Sequence, residues 1–265
     1  MELRPAAAFA LDELAALVNA AYADYYVPFR LDAAAVQFGY DAFDIDPEAS
    51  RVALDAGAPV AFANLAVRGP RAWVGGIGVV PEARRRGIAE SLMRDLMERA
   101  RGRGVRELTL EVLEQNDRAY RLYEKLEFEQ TRQVEVWSLR AAGPAETAAE
   151  PVSVDVAHDR IRRRQQASEP WQRADETLTN LRGLDPAPEA LEADGGAAIF
   201  RRTATGVSLV QVAADPGSAA ALFEAMRRLG DVSVLNLPVD DPAAEALRSL
   251  GARLTARQFE LARPL

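Results

Sequence analysis

The stretch V-V-P-E-A-R-R-R-G-I-A-E-S-L, from Val79 to Leu92, decides the fold of this chain. Its first residues read as the end of an apolar strand, closed by Pro81, which cannot donate to a sheet ladder. From Ile88 onward the pattern is that of an amphipathic helix. A helix opens with several backbone N–H groups that have no partner inside it, and its dipole places partial positive charge at that end. Gly87 and the small Ala89 let the backbone approach a ligand closely. Arg84, Arg85 and Arg86 add positive charge at the same turn. Together these features suit a phosphate-like anion. On these residues alone, an arginine-rich surface turn fits as well.

The sequence downstream separates the two readings. Ile88, Leu92, Leu96 and Ala100 recur at helical spacing, with Met93 and Met97 filling the same stripe. Gly102 and Gly104 stop that helix. Leu108, Leu110 and Val112 then alternate with Thr109 and Glu111, the period of a strand. Asn116 and Asp117 open a second helix, N-D-R-A-Y-R-L-Y-E-K-L-E-F. Arg84-x-x-Gly87-x-Ala89 resembles the R/Q-x-x-G-x-G/A signature of the GNAT superfamily of N-acetyltransferases. The second helix resembles that superfamily's N-x-x-A-x-x-L-Y-x-K-x-G-F through Asn116, Ala119, Leu122, Tyr123, Lys125 and Phe128. Glu127 stands where the family has Gly, which predicts a weaker turn after the helix. The resemblance implies an α/β (α+β mixed sheet) GNAT acyl-CoA N-acyltransferase fold that uses acetyl-CoA (coenzyme A) as co-substrate and no metal.

Composition narrows the chemistry. The 265 residues suffice for two modest domains, each with its own core. The absence of cysteine excludes disulfides, a thiolate nucleophile and a zinc ribbon. The one histidine, His158, excludes a histidine-rich metal site, and in A-H-D-R-I-R-R-R it reads as an exposed helix residue. No apolar run approaches the roughly 18–20 residues of a membrane span, and the N-terminal residues show no signal pattern. The expectation is a soluble, cytoplasmic protein with no membrane partner. A net charge of −8 argues against nucleic-acid binding. Lys125 is the only lysine and alanine is abundant, the coding bias of a GC-rich bacterial genome.

Along the chain, Glu2 to Arg4 reads as a strand, Leu11 to Tyr26 and Leu31 to Tyr40 as helices, and Arg51 to Asp55 and Pro59 to Val67 as paired strands. Ala72 to Val80 is the motif strand, and Gln133 to Leu139 the last of the first half. Residues 1–140 are therefore expected to be a catalytic GNAT domain, 141–150 (A-A-G-P-A-E-T-A-A-E) a linker, and 151–265 a second, degenerate GNAT-like domain. In that half Val152 to Val156 reads as a strand and His158 to Gln166 as a helix. Aligning Leu126 with Leu250, an offset of 124, places Tyr123 on Leu247, Asn116 on Asp240 and Glu111 on Leu235. The basic turn then falls on Ala214–Ser218, which has no arginine. Leu235 and Leu247, as apolar replacements, are expected to be buried. An unrelated α/β accessory domain is the alternative.

The resemblance also assigns residues to tasks. Arg84, Arg85, Arg86, Gly87, Ile88 and Ala89 would hold the pyrophosphate. Ile77 and Val79 on the motif strand, and Asn116, Tyr120 and Tyr123 on the second helix, would contact the rest of the coenzyme, with the Val79 N–H stabilising the oxyanion. Gly75, Gly76 and Gly78 suit a close approach of ligand to that strand. Tyr123 would protonate the departing thiolate, since a thiol near pKa 8.5 and a phenol near about 10 share a proton readily; a plain core tyrosine is the alternative. Glu111 would be the base, with Glu114 or a chain of waters competing for the role. Deprotonating a lysine-like amine at pH 7 costs about 4–5 kcal/mol, and a peptide α-amine only about 1. Tyr25, Tyr26 and Phe29 would wall the acceptor, their faces suiting a cationic amine. The acceptor expected is a small-molecule or peptide amine, attacked directly in a ternary complex by a monomer or homodimer. A non-catalytic acyl-CoA-binding protein and a longer acyl donor are the rivals.

Overall fold

The structure, a computed structural model, describes residues 1–27, 30–143, 147–164 and 169–265. It divides into two compact units, one of Met1–Arg132 with Phe259–Leu265, the other of Gln133–Gln258. The division differs from the expected break at residue 140, and the cores explain why. Strand β6 (Glu129–Leu139) follows Phe128, which is buried in the first core, and carries Trp137 and Leu139 into the second. Strand β12 (Arg253–Pro264) does the reverse, with Leu254 against the second core and Leu261 inside the first. Of the expected linker, residues 144–146 lie outside the described residues, and Ala149 is already buried in the second core.

The first unit contains β1 (Glu2–Pro5), α1 (Leu11–Ala21), α2 (Ala33–Phe43), β2 (Arg51–Asp55), β3 (Ala58–Arg68), β4 (Arg71–Val79), α3 (Ile88–Gly102), β5 (Glu107–Leu113) and α4 (Asp117–Lys125). Its strands run in the order β1-β2-β3-β4-β5-β12. The stripe of α3, from Ile88 to Ala100, is buried with Leu65, Leu108 and Leu110 of the sheet. Leu14, Leu17 and Val18 of α1 pack with Val52, Leu54 and Phe62 in a separate cluster. Helix α1 ends five residues short of expectation, because Tyr22 leaves helical geometry (φ −107, ψ 14) and Tyr25 N–H closes a turn onto its carbonyl at 3.0 Å. The turn after α4 is intact despite Glu127, which itself adopts φ +61; Phe128 N–H reaches the Tyr123 carbonyl at 3.0 Å, and Arg263 bonds the Glu127 carboxylate at 2.5 Å.

Two features of β4 shape the site. Its parallel pairing with β5 runs from Arg71↔Glu107 to Trp73↔Thr109 and stops, although both strands continue. Opposite, the register with β3 slips at Asn64/Leu65, and Gly76 takes φ +150. A Cβ on Gly78 would meet Phe62 at 2.7 Å and Ala21 at 2.9 Å; one on Gly75 would meet the Trp73 ring at 2.7 Å. Protein side chains, rather than a ligand, demand glycine at these two positions.

The second unit contains β7 (Glu150–Val152), α5 (Val154–Arg164), a short 3-10 turn (Trp171–Arg173), α6 (Asp175–Leu181), β8 (Glu189–Ala193), β9 (Gly196–Thr203), β10 (Gly206–Ala213), α7 (Pro216–Met226), β11 (Asp231–Pro238) and α8 (Pro242–Ser249). Here β7 ends and α5 begins inside the stretch read as a strand from Val152 to Val156; the end of the expected helix, residues 165 and 166, lies outside the described residues. His158 is half-buried, its Nε2 2.9 Å from Asp175, rather than a solvated surface residue. Leu247 is fully buried but Leu235 is 39% exposed, against expectation. The reason is strand alternation: Val234 faces the core, so Leu235 shares the outward face of Ser233. The same alternation places Glu111 opposite Leu110 and Val112 on β5.

Candidate active site

The basic turn folds as a cradle because two residues take left-handed backbone, Arg85 at φ +63 and Gly87 at φ +78. Gly87 caps α3, and the first hydrogen bond of that helix runs from Ser91 N–H to the Gly87 carbonyl at 3.0 Å. The N–H groups of Ile88, Ala89 and Glu90 precede it, so the helix leaves them to a ligand. A Cβ on Gly87 would meet nothing within 4 Å, so the cradle is open. The Ile88 side chain is buried in the core; only its backbone can serve.

The three arginines behave differently from one another. Arg84 Nε donates to the Val79 carbonyl at 3.0 Å, Nη1 and Nη2 each donate to Asp24 at 2.6 Å, and Nη2 also reaches the Ala21 carbonyl at 3.0 Å. It ties the end of β4 to the end of α1, with its charge already matched. The Arg84 hydrogen bond holds Asp24 below the ordinary carboxylate range. Arg86 bonds Asp55 at 2.8 Å and does not line the cleft. Arg85 is exposed, lines the cleft and has no side-chain partner among the described residues. Arg118, in the first turn of α4, lines the cleft too. Sequence reading missed it; its place two residues after the capping Asn116, in the motif helix, was the available signal.

Beyond the cradle the cleft, of about 370 Å³, continues to an aromatic end lined by Tyr22, Tyr25, Tyr26, Ile77, Val79 and Tyr123. The edge of β4 facing the gap can be read from one bond. Val80 N–H points to β3, bonding the Val60 carbonyl at 2.9 Å. Backbone groups alternate sides along a strand, so Ile77 and Val79 turn theirs toward β5, past the last β4–β5 pair. Their carbonyls are taken, Ile77's by the Tyr22 hydroxyl at 3.1 Å and Val79's by Arg84. Their N–H groups remain as donors along the gap.

Tyr123 is 5% exposed, and burial, reinforced by Tyr25, pushes its phenol well above the usual range. Burial also raises Tyr22, with Tyr25 and Tyr123 adding to it. Tyr25 is raised by burial and held back by its hydrogen bond with Asn116. Asn116 caps α4 as well, accepting from Ala119 N–H at 3.2 Å. Tyr26 is 55% exposed at the rim, and Phe29 lies outside the described residues. Besides Arg86, two more expected site residues stand apart from the cleft. Tyr120 packs on Phe259, ring centroids 5.6 Å apart, and Glu111 accepts a hydrogen bond from Trp73 Nε1 at 2.7 Å without lining the cleft. Glu114 is exposed. No cluster of three metal-ligating side chains occurs among the described residues, and no helix among them is long and apolar enough to cross a membrane.

A gapped parallel pair, a glycine-capped helix start beside it and a phenol on the next helix define a GNAT-like acyltransferase fold. The model of the acetyltransferase (GNAT) family matches residues 14–128, so the first unit carries a GNAT acetyltransferase domain. Over its whole length the chain is similar to a GCN5-related N-acetyltransferase from Sphaerobacter thermophilus (14% identity, TM-score 0.78, 99% of this chain and 95% of that one). It is also similar to a tandem GNAT protein from the clavulanic acid biosynthesis pathway (18% identity, TM-score 0.67, 99% and 98%). These likenesses show the fold, two GNAT-like domains in tandem. No curated protein sequence matches the chain.

Proposed function

We propose that the first unit transfers the acetyl group of acetyl-CoA directly to a primary amine. One observation carries this reading: a single cleft joins an open helix N-terminus to a gap in the sheet edged by backbone donors and a buried phenol. The open cradle at Gly87 fits a pyrophosphate. The N–H groups of Ile88, Ala89 and Glu90 would hold it, with Arg85 and Arg118 supplying the charge. Bound there, acetyl-CoA supplies an activated thioester. The N–H groups of Ile77 and Val79 face the gap, where they would bond the pantetheine arm and the thioester oxygen. Tyr123, kept protonated by burial, would hydrogen-bond the leaving sulfur; its raised pKa sets it further above the thiol than an ordinary phenol, so its proton passes only as the thiolate, desolvated in the same cleft, becomes more basic. Glu111, oriented by Trp73, takes the amine proton through water, because its carboxylate does not line the cleft. Asn116 holds α4 and Tyr25 in place, and Tyr25 and Tyr26 seat the amine of a small molecule or peptide.

We place catalysis in the first unit alone. The second is a degenerate repeat retained for structure, in a cytoplasmic bacterial protein that works as a monomer or homodimer. Titration calorimetry with coenzyme A, followed by thiol release from acetyl-CoA across a panel of amines, tests the proposal. One site per chain and thiol release only with an amine present are expected. Binding without release on any amine would leave a coenzyme-binding protein and overturn the transferase.

A further inference from the structure

The glycines of β4 leave room beside the reacting end of the cleft, and the question is what fills it. A Cβ on Gly76 would sit 3.5 Å from the Tyr22 hydroxyl and 3.6 Å from the Phe62 ring; on Gly78 it would collide with Phe62. The space is therefore already lined by the protein's own aromatic rings. Tyr22 is fixed there from three sides. Its hydroxyl donates to the Ile77 carbonyl, Phe62 meets it edge-on with centroids 5.7 Å apart, and Tyr25 lies against it at 4.7 Å. It is half-buried and lines the same cleft as Tyr123, whose phenol adds to the upward push on its own.

We infer that Tyr22 sets the length of the acyl group, closing the gap beside Gly76 and Ile77 to anything much longer than acetyl. The inference rests on the proposed transferase reading, because it places the thioester at the Ile77–Tyr123 end of the cleft. A methyl group fits against a fixed ring edge. Each further methylene must push Tyr22 off its carbonyl, leaving the Ile77 oxygen without its bond, or bend back into the amine's path. Close packing makes such a wall selective, since one methylene in a tight apolar pocket changes affinity about tenfold or more.

The test is a calorimetric series of coenzyme A, acetyl-, butyryl- and hexanoyl-CoA on the full chain, the Tyr22→Ala variant and the Tyr22→Phe variant. In the native chain, butyryl- and hexanoyl-CoA should bind about tenfold or more weakly than acetyl-CoA. Tyr22→Ala should erase that difference. Tyr22→Phe keeps the ring and loses only the hydroxyl, so it should retain most of it. Equal binding of every acyl chain by the native protein, with coenzyme A bound normally, would overturn the inference and leave the transferase reading standing. Retained discrimination in a folded Tyr22→Ala variant would also overturn it. Absence of coenzyme A binding would instead remove the reading beneath it.

Discussion

The starts of α3 and α7 are the same structural idea with opposite outcomes. In the first unit the helix opens on Gly87, whose missing side chain leaves the following N–H groups to a ligand. In the second it opens on Asp215, whose carboxylate accepts from Gly217 N–H at 3.1 Å, Ser218 N–H at 3.0 Å and the Ser218 hydroxyl at 2.8 Å. Those bonds hold Asp215 below the usual carboxylate range. The anion that the first unit would recruit from solution is built into the second as a side chain. The parallel pairs differ likewise. Both stop early, the second after Leu209↔Val234. Just past that point Gln211 is fully buried and donates to the Arg173 carbonyl at 2.8 Å, so the 3-10 turn Trp171–Arg173 closes what the first unit leaves open. A fold can thus keep its frame while two local residues consume its binding capacity.

The contrast can be broken most severely at Tyr123, whose counterpart by the offset alignment is the buried Leu247. Tyr123→Phe should lower kcat about 10²–10⁴-fold while coenzyme A affinity changes little; unaltered turnover would remove the acid role. Because the phenol's pKa is raised, it stays protonated as pH rises. The native pH–rate profile should show no loss attributable to it below about pH 10. Next in size, Gly87→Asp sets a carboxylate beside the start of α3, on left-handed backbone unlike the extended cap at Asp215, and should weaken coenzyme A binding roughly 100-fold by repelling the pyrophosphate. Arg84→Ala sharpens the distinction between a structural and a ligand-binding arginine. It should cost about 1–3 kcal/mol in urea unfolding through the lost ties to Val79 and Ala21. Its effect on coenzyme A affinity should be smaller than that of Arg85→Ala. Glu111→Gln should slow a lysine-like acceptor at pH 7 about tenfold more than an α-amine, read from paired substrates. The smallest effect belongs to Asp215→Ala, which should lower the thermal midpoint through the lost cap yet leave coenzyme A stoichiometry at one per chain.

The frame of the first unit was legible because its signals are local: the period of α3, the alternation of β5 and the capping Asn116 each sit within a few residues of what they determine. The behaviour of the arginines was not. That Arg84 spends its donors on Asp24, Ala21 and Val79 depends on where α1 stops, and α1 stops at a tyrosine with no glycine or proline to announce it. The exchange of β6 and β12 between cores was equally hidden, since Trp137 and Leu261 are apolar in the same way whichever core receives them. In the second half the offset alignment placed the strand and helix correctly but misjudged Leu235, because apolar character was read as burial without regard to strand face. Strand β8 carries no alternation in E-A-L-E-A, so nothing in its own residues announces a strand.

The most direct measurement is an amide-resolved NMR titration of the isotope-labelled chain with coenzyme A. The account predicts saturable shifts at the amides of Ile88, Ala89 and Glu90, with Gly217 and Ser218 unmoved. Shifts at Gly217 and Ser218, or a titration that leaves the start of α3 silent, would contradict it.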